Sequence, residues 1–238
     1  MPERFTFHLG NDQSGIWSPD GSRIVWASNR SGNFDLYEMD AGRTGQEKLL
    51  LQSDHFKFPT DWSRDGRYIL YRQIDTQVKY DLWVLPLFCE RKPFPFLRTE
   101  ANEAAGVFSP DGRWVAYCSD ESGRYEVYVE SFPERGGKRQ ISYTGGSGPR
   151  WRGDGKELYY QSPGGRLMTM AVTDGASLAV GAPVALFEFR PSSSLIAPFY
   201  SVSRDGQRFL LSTIVETEPN APLTVVVNWA AEINRGAK

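Results

Sequence analysis

The sequence predicts an all-β fold, a β-propeller of five four-stranded blades. Three observations carry that prediction. A short stretch recurs five times: Trp17-Ser18-Pro19-Asp20-Gly21, Trp62-Ser63-Arg64-Asp65-Gly66, Phe108-Ser109-Pro110-Asp111-Gly112, Trp151-Arg152-Gly153-Asp154-Gly155 and Val202-Ser203-Arg204-Asp205-Gly206. Its aspartates are spaced by 45, 46, 43 and 51 residues, a period that marks propeller blades when the repeat carries strands. Around each copy, short runs rich in β-branched and aromatic residues alternate with Gly, Pro, Asn and Asp turns, the pattern of antiparallel strands. Finally, a composition of 40% hydrophobic and 13% aromatic residues is enough for a packed core. One blade cannot bury both its faces alone, so residues 1–238 read as one domain.

The elements follow in order. Arg4-Phe5-Thr6-Phe7-His8 alternates and reads as a short strand preceding any repeat. The first blade spans about residues 14–53. Within it, Gly15–Ser18 enters a tight turn whose proline presets φ, whose Asp bonds nearby N–H groups and whose Gly accepts positive φ. Strands 23–28, 35–39 and 48–51 complete that blade. The second, 58–99, reads the same way, and Pro93 and Pro95 put its last strand at an edge because proline cannot donate to a central ladder. The third and fourth blades span 104–143 and 148–189. The fifth, 198–229, has three strands, the last at Leu223–Trp229, before a tail at 230–234. It lacks a fourth strand, and residues 4–8 are expected to supply it, closing the ring and removing an exposed edge. A start in mid-blade also fits a fragment of a larger, six- to eight-bladed propeller.

The Ser-Pro-Asp-Gly turn with Asn29-Arg30-Ser31-Gly32-Asn33-Phe34-Asp35-Leu36-Tyr37, and a second copy at Ser119–Tyr128, resembles the TolB-like propeller repeat over nearly the whole chain. The copies at 63 and 203 have arginine for proline, and the copy at 152 has Arg152-Gly153 for Ser-Pro. Residues 81–97 and the ending Leu223–Trp229 are similar to the C-terminal propeller region of bacterial serine/threonine protein kinases. That resemblance implies a sensory or docking region of a larger protein, commonly beyond a membrane span. Phosphoryl transfer by these residues is excluded, since the chain has no glycine-rich loop with its lysine, no His-Arg-Asp loop and no Asp-Phe-Gly.

Other chemistry is thinly represented. A formal charge of −2 gives no electrostatic preference for nucleic acid. No run approaches the ~18 apolar residues of a membrane span, and the first residues lack the features of a secretory signal. Compartment stays open: extracytoplasmic if the chain belongs to a membrane-spanning kinase, cytoplasmic otherwise. Two cysteines, Cys89 at a strand end and Cys118 in an apolar run, imply no disulfide framework. The five turn aspartates sit in separate turns and cannot converge on one metal ion. Asp35, Asp81 and Glu126 recur at one repeat position, which points to blade packing.

Two enzyme readings form the alternative. A prolyl-oligopeptidase-type peptidase carries a similar propeller as an accessory domain, but the nucleophile elbow is missing here and only His8 and His55 could act as base. A propeller glycosidase needs paired carboxylates at the channel, where the inner strands offer only Asp61, with Glu103 just before the third. The expected role of Asp61 is to partner Arg150 or backbone N–H groups.

No catalytic residue, metal or cofactor is therefore expected. The expected function is binding of a protein, peptide or small ligand on the channel face. That face should be built by Arg30, His55, Phe56, Lys57, Asp61, Arg124, Arg150 and Tyr200. Phe58, Tyr80, Tyr125 and Ile196 are expected to add an aromatic rim. Self-association of the ring is a third use of the same fold.

Overall fold

The computed structural model describes residues 4–75, 79–173, 178–189 and 200–213. Every regular element among them is a strand. The first blade is β1 (Asp12–Trp17), β2 (Arg23–Ser28), β3 (Asp35–Asp40) and β4 (Lys48–Leu51). The second is β5 (Phe56–Trp62), β6 (Tyr68–Ile74), β7 (Tyr80–Pro86) and β8 (Phe94–Leu97). The third is β9 (Glu103–Phe108), β10 (Trp114–Ser119), β11 (Glu126–Ser131) and β12 (Arg139–Gln140). In the fourth, β13 (Ser147–Trp151), β14 (Glu157–Ser162) and β15 (Arg166–Thr173) are followed by a split outer strand, β16 (Ala179–Val180) and β17 (Val184–Glu188), both pairing with β15. β18 (Tyr200–Val202) and β19 (Phe209–Leu211) form a two-stranded sheet. The strand expected at 223–229, the tail at 230–234 and Ile196 lie outside the described residues.

The Asp-Gly turns account for the repeat. In four copies the serine hydroxyl donates to the aspartate, at 2.6 Å for Ser18–Asp20 and Ser63–Asp65 and 2.5 Å for Ser109–Asp111 and Ser203–Asp205. The same serine oxygen accepts the backbone N–H five residues on, at 2.9 Å from Arg23, Tyr68, Trp114 and Arg208. The fourth copy replaces serine with Arg152, whose guanidinium forks onto Asp154 at 2.7 and 2.8 Å. Hydrogen bonding to the charged form lowers a carboxyl pKa, and the Ser18 hydroxyl holds Asp20 down at about 2.

Strand alternation sends successive side chains to opposite neighbours. Leu158 and Tyr160 of β14 pack on the third blade, whereas Tyr159 packs with Tyr200 and Phe209 of the last sheet. Val25 and Leu36 meet Ile69, Tyr71 and Leu85 between the first two blades. Leu70, Leu82 and Val84 meet Val115, Tyr117 and Phe132 between the next two. Inner strands β1, β5, β9, β13 and β18 stand side by side in that order.

Residues 4–8 differ from expectation. They form no strand, and Phe5 lies edge-on to Trp26 at 5.8 Å, packed with Tyr37 and Met39 on the first blade. Their alternation reflects one aromatic seeking an apolar sheet face, which competes with pairing to a distant edge.

Each described four-stranded blade carries an irregularity in its inner strand: between Gln13 and Ile16, Pro59 and Asp61, opposite Ala116/Cys118 in β9, and between Ser147 and Arg150. Ser14, Ala105 and Gly148 occupy equivalent places there with φ of 57°, 53° and 58°. A bulge bends the strand and re-aims the residues after it. Here those residues are the ones that reach the channel.

Candidate functional site

Inner strands leave one row of backbone groups unpaired along the channel, a cost unless something satisfies them. Side chains from neighbouring blades do so. Asp61 Oδ2 accepts the Phe108 N–H at 2.7 Å, the Tyr200 hydroxyl donates to Gly148 O at 2.8 Å, and Trp151 Nε1 donates to Val107 O at 3.4 Å. Burial raises the Asp61 pKa to about 6, against the Phe108 N–H and the field of Arg150. Of its two expected partners, the backbone N–H bonds it directly, and Arg150 acts on it through charge, without an ion pair among the described residues. Tyr200 is buried, and desolvation raises its phenol well above the usual range.

A cavity of about 360 Å³ opens where the inner strands end at the Asp-Gly turns. Asp61, Phe108, Arg150 and Trp151 form its walls, and Trp17, Arg64 and Gly153 its rim. Trp17 is 61% exposed, unusual for the large apolar residue of a repeat whose counterparts Trp62 and Phe108 are buried. Arg64 Nη1 crosses from the second blade to donate to Gly153 O of the fourth at 2.8 Å. Gly153 also donates its N–H to Arg204 O at 3.0 Å. A Cβ at 153 would lie 2.5 Å from that backbone oxygen, so only glycine fits. Arg150 Nη1 donates to Pro149 O at 2.9 Å. Neither Arg64 nor Arg150 has an ion-pair partner among the described residues.

Asp61, Arg150 and Tyr200 are therefore brought together at the channel, and the other expected site residues are not. Lys57 is buried at 1% exposure and bonded to Asp35 at 2.8 Å between the first two blades, which corrects its expected place on an open face. Phe58 is likewise buried, with the Arg72 guanidinium 5.0 Å over its ring. Arg30 sits between Asp12 and Glu47 and lies 4.4 Å over Tyr37. Arg124 donates to Glu126 at 2.8 Å and to Tyr143 O at 2.5 Å. His55 is half-buried and Phe56 exposed, the latter packing edge-on to Phe34 at 5.9 Å. Tyr80 and Tyr125 are half-buried beside Arg72.

Asp35, Asp81 and Glu126 do serve packing. Asp35 holds Lys57 and Ser31, Asp81 lies 3.7 Å from Arg98, and Glu126 accepts from Ser142 and from the Gly145 N–H at 2.8 Å. Cys118 is buried, and desolvation pushes its thiol up to about 12. No group of three metal-ligating side chains occurs among the described residues, and no helix among them is long and apolar enough to cross a membrane.

Sequence reading missed Trp17, Arg64, Gly153 and Arg204 as site residues. The signal was present in the third position of the repeated turn, which reads Pro19, Arg64, Pro110, Gly153 and Arg204. The three non-proline copies are the ones that meet across the mouth.

No family model matches the chain. A curated uncharacterised protein of Agrobacterium fabrum is 28% identical over an alignment of 160 residues that covers 60% of this chain and 52% of that protein. The chain thus spans about half the length of the curated relative it matches. Among solved structures, TolB from Acinetobacter baumannii superposes with a TM-score of 0.64 at 17% identity, covering 84% of this chain and 48% of that one. TolB from Agrobacterium tumefaciens gives 0.60 at 19% identity, covering 74% and 66%. A puromycin-hydrolysing peptidase from Mycobacterium tuberculosis gives 0.57 at 18% identity, covering 75% and 31%. At these identities the likeness shows the fold alone: the chain is built as a TolB-like β-propeller.

Proposed function

We propose that this chain is a non-catalytic binding propeller that takes a protein or peptide segment at the mouth of its channel. One observation carries the reading: an exposed Trp17 shares the lining of a cavity of about 360 Å³ with two guanidiniums, Arg64 and Arg150, that have no ion-pair partner among the described residues. Tryptophan and arginine are the residues that anchor protein interfaces, because both offer a large contact area with directed polar groups. The turn that follows Trp17 and the turn that carries Arg64 are tied by hydrogen bonds, and Arg150 stands on a paired strand, so the site needs little reordering to bind.

The glycosidase and peptidase-accessory alternatives have less behind them. Asp61 is the carboxylate of this cavity, and it is committed to the Phe108 N–H. A role as the sensory or docking region of a larger kinase-like protein is part of the same proposal and rests on the likeness of residues 81–97 and 223–229.

Selection of a displayed random-peptide library on the purified chain tests the site. Selected peptides should lose at least about tenfold in affinity on Trp17→Ala, the range of a modest interface anchor. They should keep their affinity on Phe56→Ala, which alters an exposed aromatic elsewhere. Equal binding to wild type and Trp17→Ala would place the binding surface away from this mouth.

A further inference from the structure

The mouth is biased in charge. Arg150 reaches it from the inner strand β13, partly buried, and Arg64 reaches it from the exposed rim. Arg204 abuts the same Gly153 from the last turn. Arg64 spends one N–H on Gly153 O and Arg150 one on Pro149 O, which leaves each guanidinium with free donors. The nearby Arg152, by contrast, is consumed by Asp154 and Glu157. Against these cations stands a single carboxylate, Asp61, with one oxygen already holding a backbone N–H. Phe108 and Trp151 give the walls aromatic faces, Trp17 adds one at the rim, and Thr60 and Ser109 contribute hydroxyls.

Resting on the binding function proposed above, we infer that the mouth recognises a carboxylate carried by an extended peptide, either an acidic side chain or a chain terminus. Arg150 holds it at depth, Arg64 closes on it from the rim, and Trp17 packs on the apolar residue beside it. A guanidinium offers parallel N–H donors that match the two oxygens of a carboxylate. Phosphate shares that geometry and carries nearly two charges, so a phosphopeptide is the competing outcome that the test separates. The exposed Trp17 at the rim suits a peptide better than a free anion.

Calorimetric titration of the purified chain with four acetylated pentapeptides tests this. One is Ala-Leu-Glu-Leu-Ala amide, the second its glutamine counterpart as the amide, the third the glutamine peptide with a free C-terminus, and the fourth the phosphoserine amide. The expected result is that at least one carboxylate peptide binds about tenfold or more tighter than the neutral amide, and which one identifies the source. Arg150→Met and Arg64→Met should each remove most of that preference, and Asp61→Asn should strengthen it. Arg64 lies on the exposed rim, so its variant tests the idea even if Arg150→Met fails to fold. Neutral and acidic peptides binding alike, a preference that survives in Arg64→Met, or tightest binding by the phosphoserine peptide would each overturn the carboxylate assignment while leaving a peptide site. Absence of binding by all four would instead overturn the peptide-binding function, and this inference with it.

Discussion

Lys57 and Glu103 are each 1% exposed, yet their charges meet different surroundings. The Lys57 ammonium donates to Asp35 at 2.8 Å, to Ser53 O at 3.2 Å and to His55 O at 2.5 Å, so each of its three protons has an acceptor. Burial lowers its pKa and Asp35 opposes the shift. Glu103 is less well provided for. Thr99 donates to Oε1, while Oε2 is buried with no partner among the described residues. Desolvation raises its pKa to about 7, with Asp81 and Glu121 adding like charge. The unfolded chain should titrate near 4.5, so the native state holds the proton that the unfolded state has already released. Stability from this group is therefore fully present below about 4.5 and lost as pH rises through about 7. Glu103→Gln keeps the shape without the charge. It should leave stability near pH 4.5 almost unchanged and raise it by about 1–3 kcal/mol at pH 8, read from urea unfolding across that range. A gain that does not grow with pH would show that Glu103 is not held protonated.

The inner strands show which parts of the architecture are legible locally and which are not. Asp-Gly turns and alternating strands are short-range features, so the blades could be read from residues such as Asp20-Gly21 and Arg23–Ser28 before any contact was known. Lys57 follows an exposed Phe56 and looks like a rim residue; only the neighbouring blade's Asp35 makes it a buried one. The mouth was hidden for the same reason, because Arg64 and Gly153 are 89 residues apart and meet through the ring. Gly106 in β9 is another such case. It looks like an unremarkable strand glycine, yet a Cβ there would lie 2.6 Å from Leu70 and 2.9 Å from Leu82 on the second blade. The missing side chain sets how closely the two sheets approach. Gly106→Ala must push those leucines off their rotamers and should cost about 1–3 kcal/mol, the usual range for overpacking. A midpoint within about 0.5 kcal/mol of wild type, the spread of an indifferent surface change, would mean that the interface has slack.

Apolar side chains on the second, third and fourth blades are divided between two neighbouring sheets, so stability in this molecule passes from blade to blade rather than into one central core. An array coupled only through neighbours is strongest where both sides are covered. β9 meets that condition: all six of its residues are buried, with Val107 packed toward the fourth blade and Phe108 toward the second. β1 does not, since Gln13, Ser14, Gly15 and Trp17 are exposed. Hydrogen bonding cannot explain such a difference, as both strands pair antiparallel with their neighbours and both carry the same bulge. Packing must, and packing sets the free energy of local opening. Native-state hydrogen exchange should therefore be slowest at the paired amides of β9 and β10, opening only with global unfolding. The paired amides of β1 and of the β18–β19 sheet should exchange through cheaper local openings that respond weakly to denaturant. Equal protection and equal denaturant dependence along all the inner strands would require the described blades to unfold as one unit, and would remove the graded coupling argued from β9 and β1.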